Sequence, residues 1–401
     1  MDRTRQIAVF LLAAVALVAL PLVVQQFGQG WVRIMALALL YVLLALGLNI
    51  VVGYAGLLDL GFVAFYAVGA YMYALLASPH LWETFESLKT ILPNGLHTPI
   101  WLVIPLAAGL AGLAGALLGA PTLKLRGDYL AIVTLGFGEI IRVFMNNLEH
   151  PVNITNGPRG LDRIDSMSIG PLDFGKALMV GDFRIPSVTL YFYLFLVLVV
   201  VSVVICHRLE TSRIGRAWMA IREDEIAAKA MGINTRDVKL LAFAMGASFG
   251  GIAGAMFSAF QGFVSPESFV LHESIVIVAM VVLGGMGHVP GVILGAILLY
   301  AIPEVLRFVA KPLQEAVFGA ELVAPEALRM LLFGLAMVVI MLYRPAGLWP
   351  APQHGRRRPG PDGPGAGDGD VPGSPAAGAA SIGTVSAGTA AGGAAAARDA
   401  R

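Results

Sequence analysis

Met35-Ala36-Leu37-Ala38-Leu39-Leu40-Tyr41-Val42-Leu43-Leu44-Ala45-Leu46-Gly47-Leu48-Asn49-Ile50-Val51-Val52 carries no charged side chain. As a helix rising about 1.5 Å per residue, it covers most of the ~30 Å hydrocarbon layer of a bilayer. Comparable apolar runs lie at Ile7–Val24, Leu57–Leu76, Trp101–Ala120, Tyr129–Met145, Val188–Cys206, Leu240–Phe260, Ile275–Gly284, Val292–Leu306 and Leu328–Leu342. Together they describe an all-α membrane protein, a polytopic bundle of about ten transmembrane helices. Ile7–Val24 follows Arg3 and Arg5 and meets no small-x-small cleavage site before Gln25-Gln26, so it reads as an uncleaved span. Leu57–Leu76 reads either as a full span or as a re-entrant segment. The cluster Gly284-Gly285-Met286-Gly287-His288-Val289-Pro290-Gly291 is dense in helix breakers and predicts a tight turn between two helices.

Composition points the same way. Of 401 residues, 57% are hydrophobic and 13% charged, against about 25% charged in an ordinary soluble domain. Mean hydropathy is +0.78. One soluble core could not hide so much apolar surface, so lipid is the solvent for much of it. A net charge of +1 gives no basis for nucleic-acid binding, and the single cysteine, Cys206, excludes an internal disulfide framework or a cysteine metal cluster. The 47 glycines suit membrane helices, whose backbones approach closely at small residues.

Basic residues in short loops set the orientation. With the N-terminus cytoplasmic, Arg3, Arg5, Lys124, Arg126, the Arg208–Lys239 segment and Arg344 fall on the cytoplasmic side. Trp82–Pro99 and Asn146–Pro186 fall outside, and the C-terminus is cytoplasmic. Residues 1–348 are thus expected to form the transmembrane domain, with 207–239 as a cytoplasmic loop within it. Beyond it, Arg356-Arg357-Arg358 leads into a Gly/Ala/Pro/Ser tract that ends at Arg401. Residues 349–401 read as a disordered cytoplasmic tail, because such a composition cannot bury enough surface to offset its ordering entropy. Its arginines suit anionic headgroups or serve as simple stop-transfer charge.

Motifs for covalent chemistry are missing. No G-x-x-x-x-G-K-[ST] occurs, since Gly175-Lys176 is followed by Ala177, so this polypeptide is not expected to hydrolyse ATP through a P-loop. His272-Glu273 lacks the second histidine of a zinc protease, and no Gly-x-Ser-x-Gly elbow is present. No catalytic residue, metal site or cofactor is expected in this chain. Asn153-Ile154-Thr155 matches a glycosylation sequon by chance.

Glycines at four-residue spacing (Gly115 and Gly119; Gly246, Gly250 and Gly254; Gly291 and Gly295) share a helix face and predict tight helix packing. Ionisable residues inside spans are more pointed, since each costs about 2.5–3.5 kcal/mol in lipid. Glu139 and Arg142 stand one turn apart and can pair, either as a structural ion pair or along a pathway. Asp59 lies in a glycine-punctuated stretch, Val52 to Gly61, that predicts an interrupted helix; it either caps the break or touches a transport route. With Asn49 and Tyr66, these three residues form the candidate translocation path.

The segment Ser212–Lys239 is charged and rich in good helix formers, and one helix is expected over Arg216 to Met231. Glu225 and Lys229 stand in the favourable i, i+4 order, with Arg222 one turn before Glu225. Gly232 is a natural stop, and Asn234 with Asp237 caps the next span. The segment is either a solvated connector or a docking element.

Ala227-Ala228-Lys229-Ala230-Met231-Gly232 is similar to the A-A-x-x-x-G core of the EAA loop in permeases of ATP-binding-cassette (ABC) importers. It departs from that pattern in placing the glutamate at Glu225, with Ile226 in the expected position, and in lacking the downstream I-x-L-P. The stretch Gly47 to Gly61 and the stretch Leu125-Arg126-Gly127-Asp128-Tyr129-Leu130-Ala131-Ile132-Val133-Thr134-Leu135-Gly136 resemble signatures of branched-chain amino-acid permeases. So do Thr155-Asn156-Gly157-Pro158-Arg159-Gly160-Leu161 and Gly284 to Gly295. The resemblance, to the larger of the two permeases of leucine/isoleucine/valine import, covers roughly Met35 to Tyr343. It implies an ABC-importer permease fold in the bacterial inner membrane. It also implies a heterodimer with a sister permease, two cytoplasmic ABC ATPase subunits that use the ATP, and a periplasmic substrate-binding protein. On the same basis Arg216, Arg222, Glu225, Ala227, Ala228, Lys229 and Gly232 would form the ATPase-coupling loop. Two alternatives stand beside it: a urea or short-amide permease of the same superfamily, and a proton-coupled transporter using Glu139 or Asp59.

Overall fold

In the computed structural model, the Met35–Val52 run forms most of helix α1 (Gln29–Asn49). The structure describes residues 17–84, 99–123, 125, 127–150, 152–170, 172–180 and 183–318, with scattered positions from 331 to 349. Residues 42–49 of α1 are all buried, as expected of a helix that is apolar on every side.

The helix does not end cleanly. Its backbone widens into a π-helical turn, Ile50–Tyr54, and the chain leaves helical geometry at Ala55. Gly56 follows at φ +68°, a left-handed conformation that glycine adopts without penalty. Helix α2 (Val63–Ala77) begins only at Val63, so the Leu57–Leu76 run is not one continuous helix. Its first residues, 57–62, are non-helical. The Asp59 carboxylate accepts the Gly61 amide at 2.9 Å, a local bond that competes with the helical ladder.

After α3 (His80–Thr84) come α4 (Ile100–Thr122) and α5 (Asp128–Asn147). The segment after α5 is not purely irregular, and here the all-α expectation needs correction. It holds two antiparallel hairpins, β1 (Ser168–Ile169) with β2 (Leu172–Asp173), and β3 (Leu178–Val180) with β4 (Phe183–Ile185). The chain continues through α6 (Ser187–Thr211), α7 (Arg213–Glu223), α8 (Glu225–Ala230) and α9 (Thr235–Gln261). It then passes into α10 (Leu271–Gly284) and α11 (Val289–Phe318), joined by the expected glycine-rich turn.

Among the described residues, five helical stretches are long and apolar enough to cross a membrane: Gln29–Tyr54, Trp101–Thr122, Ser187–Thr211, Thr235–Gln261 and Pro266–Gly284. Val63–Ala77 and Val289–Val305 are shorter apolar helices. The first expected run enters the described residues only at 17–24, and the run at Leu328–Leu342 only at scattered positions. The tail beyond residue 350, Arg356–Arg358 included, lies outside them.

Helix α9 is the central packing element, lying against α4, α2 and α1. The contacts are made by backbone. A β-carbon built at Gly254 would fall 2.0 Å from the Tyr66 carbonyl oxygen, and one at Gly251 would fall 2.4 Å from Ala111 Cβ. One at Gly246 would lie 2.9 Å from the Gly47 carbonyl oxygen. The 246/250/254 series therefore faces α1 and α2, while Gly251, outside that series, faces α4. Loops gather at two ends. Residues 53–58, 125, 127–128, 212–239 and 285–288 meet at one. Residues 78–84, 153–165 and 262–269 meet at the other, where Leu161 and Val264 exchange backbone hydrogen bonds of 2.8 and 2.9 Å.

Gly254→Ala should destabilise the protein by about 1–3 kcal/mol through overpacking against backbone that cannot yield. Gly136→Ala, with nothing within 4 Å of the added carbon, should leave the detergent melting temperature unchanged or slightly raised. Equal melting temperatures for the two variants would contradict this packing.

Candidate functional site

The charged connector is built from local signals. Ser212 caps α7, its hydroxyl accepting the Gly215 amide at 3.0 Å. Trp218 is fully buried and its indole N–H donates to the Val238 carbonyl at 2.7 Å, anchoring α7 to α9. The single helix expected over Arg216 to Met231 is in fact two. Asp224 adopts extended geometry, and its carboxylate accepts the amides of Ile226 (2.8 Å) and Ala227 (3.0 Å), so it caps α8 instead of continuing α7. Arg222 and Glu225 consequently belong to different helices.

Helix α8 ends as its sequence requires. Gly232 sits at φ +84°. Its amide donates to the Lys229 carbonyl and that of Ile233 to the Ala228 carbonyl, each at 3.1 Å, the double bond of a Schellman stop. Asn234 caps α9, accepting the Asp237 amide at 3.4 Å. Ala228 turns inward at 4% exposure, whereas Ile226 (69%) and Met231 (83%) project outward, and Ala227 and Lys229 are exposed. Arg216 donates to the Thr211 carbonyl at 2.9 Å, placing a cation at the end of α6 where the helix dipole favours one.

Two further contacts tie the connector to the bundle. Glu225 forms a 2.8 Å ion pair with Lys239, itself only 5% exposed near the start of α9. This pair spans two elements, beyond the Lys229 spacing read from sequence. Arg222 Nη1 donates to the Gly53 carbonyl at the broken end of α1. The last carbonyls of a helix lack intrahelical donors, and a hydrogen bond involving a charged group contributes about 1.5–3 kcal/mol. One turn earlier in the same helix end, Asn49 Oδ1 accepts the Gly287 amide at 2.8 Å. A cavity of about 260 Å³ lies beside this junction, lined by Leu57, Leu58, Asp128, Arg222, Glu225 and Lys239 among others.

The five path candidates do not form one constellation. Asn49 sits in the junction just described. Asp59, 1% exposed, caps the 57–62 segment, where Thr134 on α5 accepts the Leu60 amide at 3.1 Å. Tyr66 packs in an aromatic cluster, its ring centroid 5.1 Å from Phe269 and 5.4 Å from Phe257. Glu139 and Arg142 do pair, Nε to Oε1 at 3.0 Å, and Arg142 also reaches Glu267 at 3.2 Å, tying α5 to the turn after α9. Sequence spacing missed Trp218, Lys239, Thr134 and the Gly53 and Gly287 acceptor and donor groups. Of these only Lys239 left a signal, a lysine at the very edge of the Leu240–Phe260 apolar run.

A bundle of apolar helices, broken near one end and carrying there a charged helix pair, defines a polytopic membrane protein. More specifically, the chain belongs to the family described as branched-chain amino acid transport system / permease component, whose model matches residues 30–341. It is similar to the high-affinity branched-chain amino acid transport system permease protein LivM of Escherichia coli (strain K12). The two are 42% identical over 355 residues, 85% of this chain and 74% of that protein. A probable LivM of Methanocaldococcus jannaschii is 29% identical over 329 residues, covering 78% and 90% of the two chains. The permease protein LivH of E. coli (strain K12) is 25% identical over 268 residues, covering 65% and 79%. No solved structure matches the chain.

Glu225→Gln would leave Lys239 buried without its counter-ion, and should destabilise the protein by about 1–3 kcal/mol. Adding Lys239→Met should recover most of that loss, because it removes the buried ammonium that would otherwise lack a counter-ion. Thermal unfolding of the single and double variants in detergent measures both; additive losses would contradict the pairing.

Proposed function

We propose that this chain is one permease subunit of an ATP-driven importer of branched-chain amino acids in the bacterial inner membrane. Family membership over residues 30–341 is the observation that carries the reading. The relatives LivM and LivH are both named for branched-chain amino acid transport, which favours that substrate class over urea or short amides. Similarity to both fits a pair of related permeases in one complex, so the sister permease is of the LivH kind. The sequence has no P-loop, so ATP is used by two cytoplasmic ABC ATPase subunits, and a periplasmic binding protein delivers the substrate.

In this proposal about ten spans cross the membrane with both termini cytoplasmic. Residues 1–348 form the permease domain and 349–401 a cytoplasmic tail. The 212–239 end faces the ATPases, and the end with the hairpins faces the binding protein. The outward side chains of Ile226, Lys229 and Met231 enter a groove on an ATPase subunit. When the ATPases close, α7 and α8 move. Trp218 and the Glu225–Lys239 pair pass that displacement to α9, which is packed by backbone contact against α2 and α4 and moves them with it. The outcome is a population shift between inward-open and outward-open states. A leucine-like solute needs a largely apolar route with a few polar groups for its ends, and the chain is correspondingly sparse in intramembrane charge. Proton coupling through Glu139 gains no support, because Glu139 is already ion-paired with Arg142, which also reaches Glu267.

Reconstituted with its sister permease, ATPases and binding protein, the complex should accumulate leucine in proteoliposomes with ATP and not without it. Leucine uptake driven by a proton gradient in the absence of ATP would overturn the class. Urea uptake without leucine uptake would overturn the substrate.

A further inference from the structure

A backbone carbonyl that leaves a helical ladder needs a donor from elsewhere. The Gly53 carbonyl, at the end of α1, is such a group. Its donor is Arg222, which belongs to α7, a helix of the connector and not of the apolar bundle.

The guanidinium is received in a slot made of three glycines from two segments. A β-carbon at Gly56 would lie 2.8 Å from Arg222 Cγ, so only glycine lets the arginine stem pass. One at Gly287 would lie 2.9 Å from Arg222 Nη1 and 3.2 Å from the Gly53 carbonyl oxygen. One at Gly53 would lie 2.0 Å from Asn49 Oδ1 and 2.6 Å from the Gly287 nitrogen. Gly287, at φ +84°, belongs to the turn between α10 and α11, and its amide is the one held by Asn49. One arginine thus touches the broken end of α1 and the α10–α11 turn together. Trp218 and Glu225 bond instead to α9, and Arg216 to the end of α6. The adjoining 260 Å³ cavity leaves the 55–58 segment room to shift.

We propose that Arg222 is the positioning residue that joins α7–α8 to the α1 break and the α10–α11 turn, so that displacement of the connector moves both as one unit. This rests on the importer reading above. Arg222 acts through Gly53 and Gly287 and touches no substrate.

The test uses the complete importer in proteoliposomes and reads leucine moved per ATP hydrolysed. Arg222→Met keeps the stem over Gly56 but removes the donor; Arg222→Lys keeps one charged donor. Arg222→Met should assemble and hydrolyse ATP yet lose about ten-fold in uptake per ATP, within the usual range of coupling between sites. Arg222→Lys should recover part of the loss. Gly287→Ala should lower the ratio alone and add little to Arg222→Met, since both act on one contact. Wild-type uptake per ATP in Arg222→Met would overturn the proposal, as would additive losses in the double variant. Failure of both Arg222 variants to assemble would also overturn it, by making the arginine a support of the fold. The wild-type complex run in parallel separates the two levels: if it moves no leucine with ATP, the importer reading itself fails.

Discussion

Backbone amides and carbonyls that leave a helical ladder need other partners, and buried ones must find them within the protein. Residues 57–62 leave the ladder between α1 and α2, and neighbouring elements supply partners at and beside this break. Asp59 takes the Gly61 amide, Thr134 on α5 takes that of Leu60, and Ser274 on α10 takes that of Val63, at 2.9 to 3.1 Å. Arg222 supplies the Gly53 carbonyl from outside the bundle. Each partner comes from a different element, so the break can persist only while α5, α7 and α10 keep their places. That dependence lets a change at the connector reach the bundle.

Helix α9 provides the second half of the connection. Its glycines bring its backbone close to that of α1, α2 and α4, with the carbonyls of Gly47, Tyr66 and Ala107 among the nearest atoms. Interiors packed in this way move as discrete bodies and do not deform smoothly. Load applied at Trp218 and Lys239, near the start of α9, is therefore carried along the helix toward Gln261. There Gly262 and Val264 are bonded to the 161–164 segment of the opposite end. The two ends of the molecule are linked by one stiff element and by the arginine-held break beside it.

Apolar runs translated into helices with little error where the chain obeys one period. Trp101–Ala120 became Ile100–Thr122, and Tyr129–Met145 became Asp128–Asn147. Local capping chemistry was equally legible: Gly232 stops α8 at positive φ and Asn234 starts α9. The glycine-punctuated stretch Val52 to Gly61 announced the break after α1, but Leu57, Leu58 and Leu60 are apolar whether helical or not, so hydrophobicity alone could not set where α2 begins. The break at Asp224 was hidden. Asp224 sits among strong helix formers, and its switch to capping α8 is decided by its own side chain. The site was the least legible part, since Arg222 and Gly53 are 169 positions apart and no periodicity relates them. The hairpins of 168–185 are so short that alternation has no length in which to register.

The central claim is that connector and α1 break move together. Double electron–electron resonance on the assembled importer tests it, with Cys206 replaced and labels at the partly exposed positions Leu58, Met219 and Val152. Between the resting and ATP-bound states, the Leu58–Met219 distance should stay constant while the Leu58–Val152 distance changes. A Leu58–Met219 distance that widens on ATP binding, with Leu58–Val152 fixed, would contradict the account.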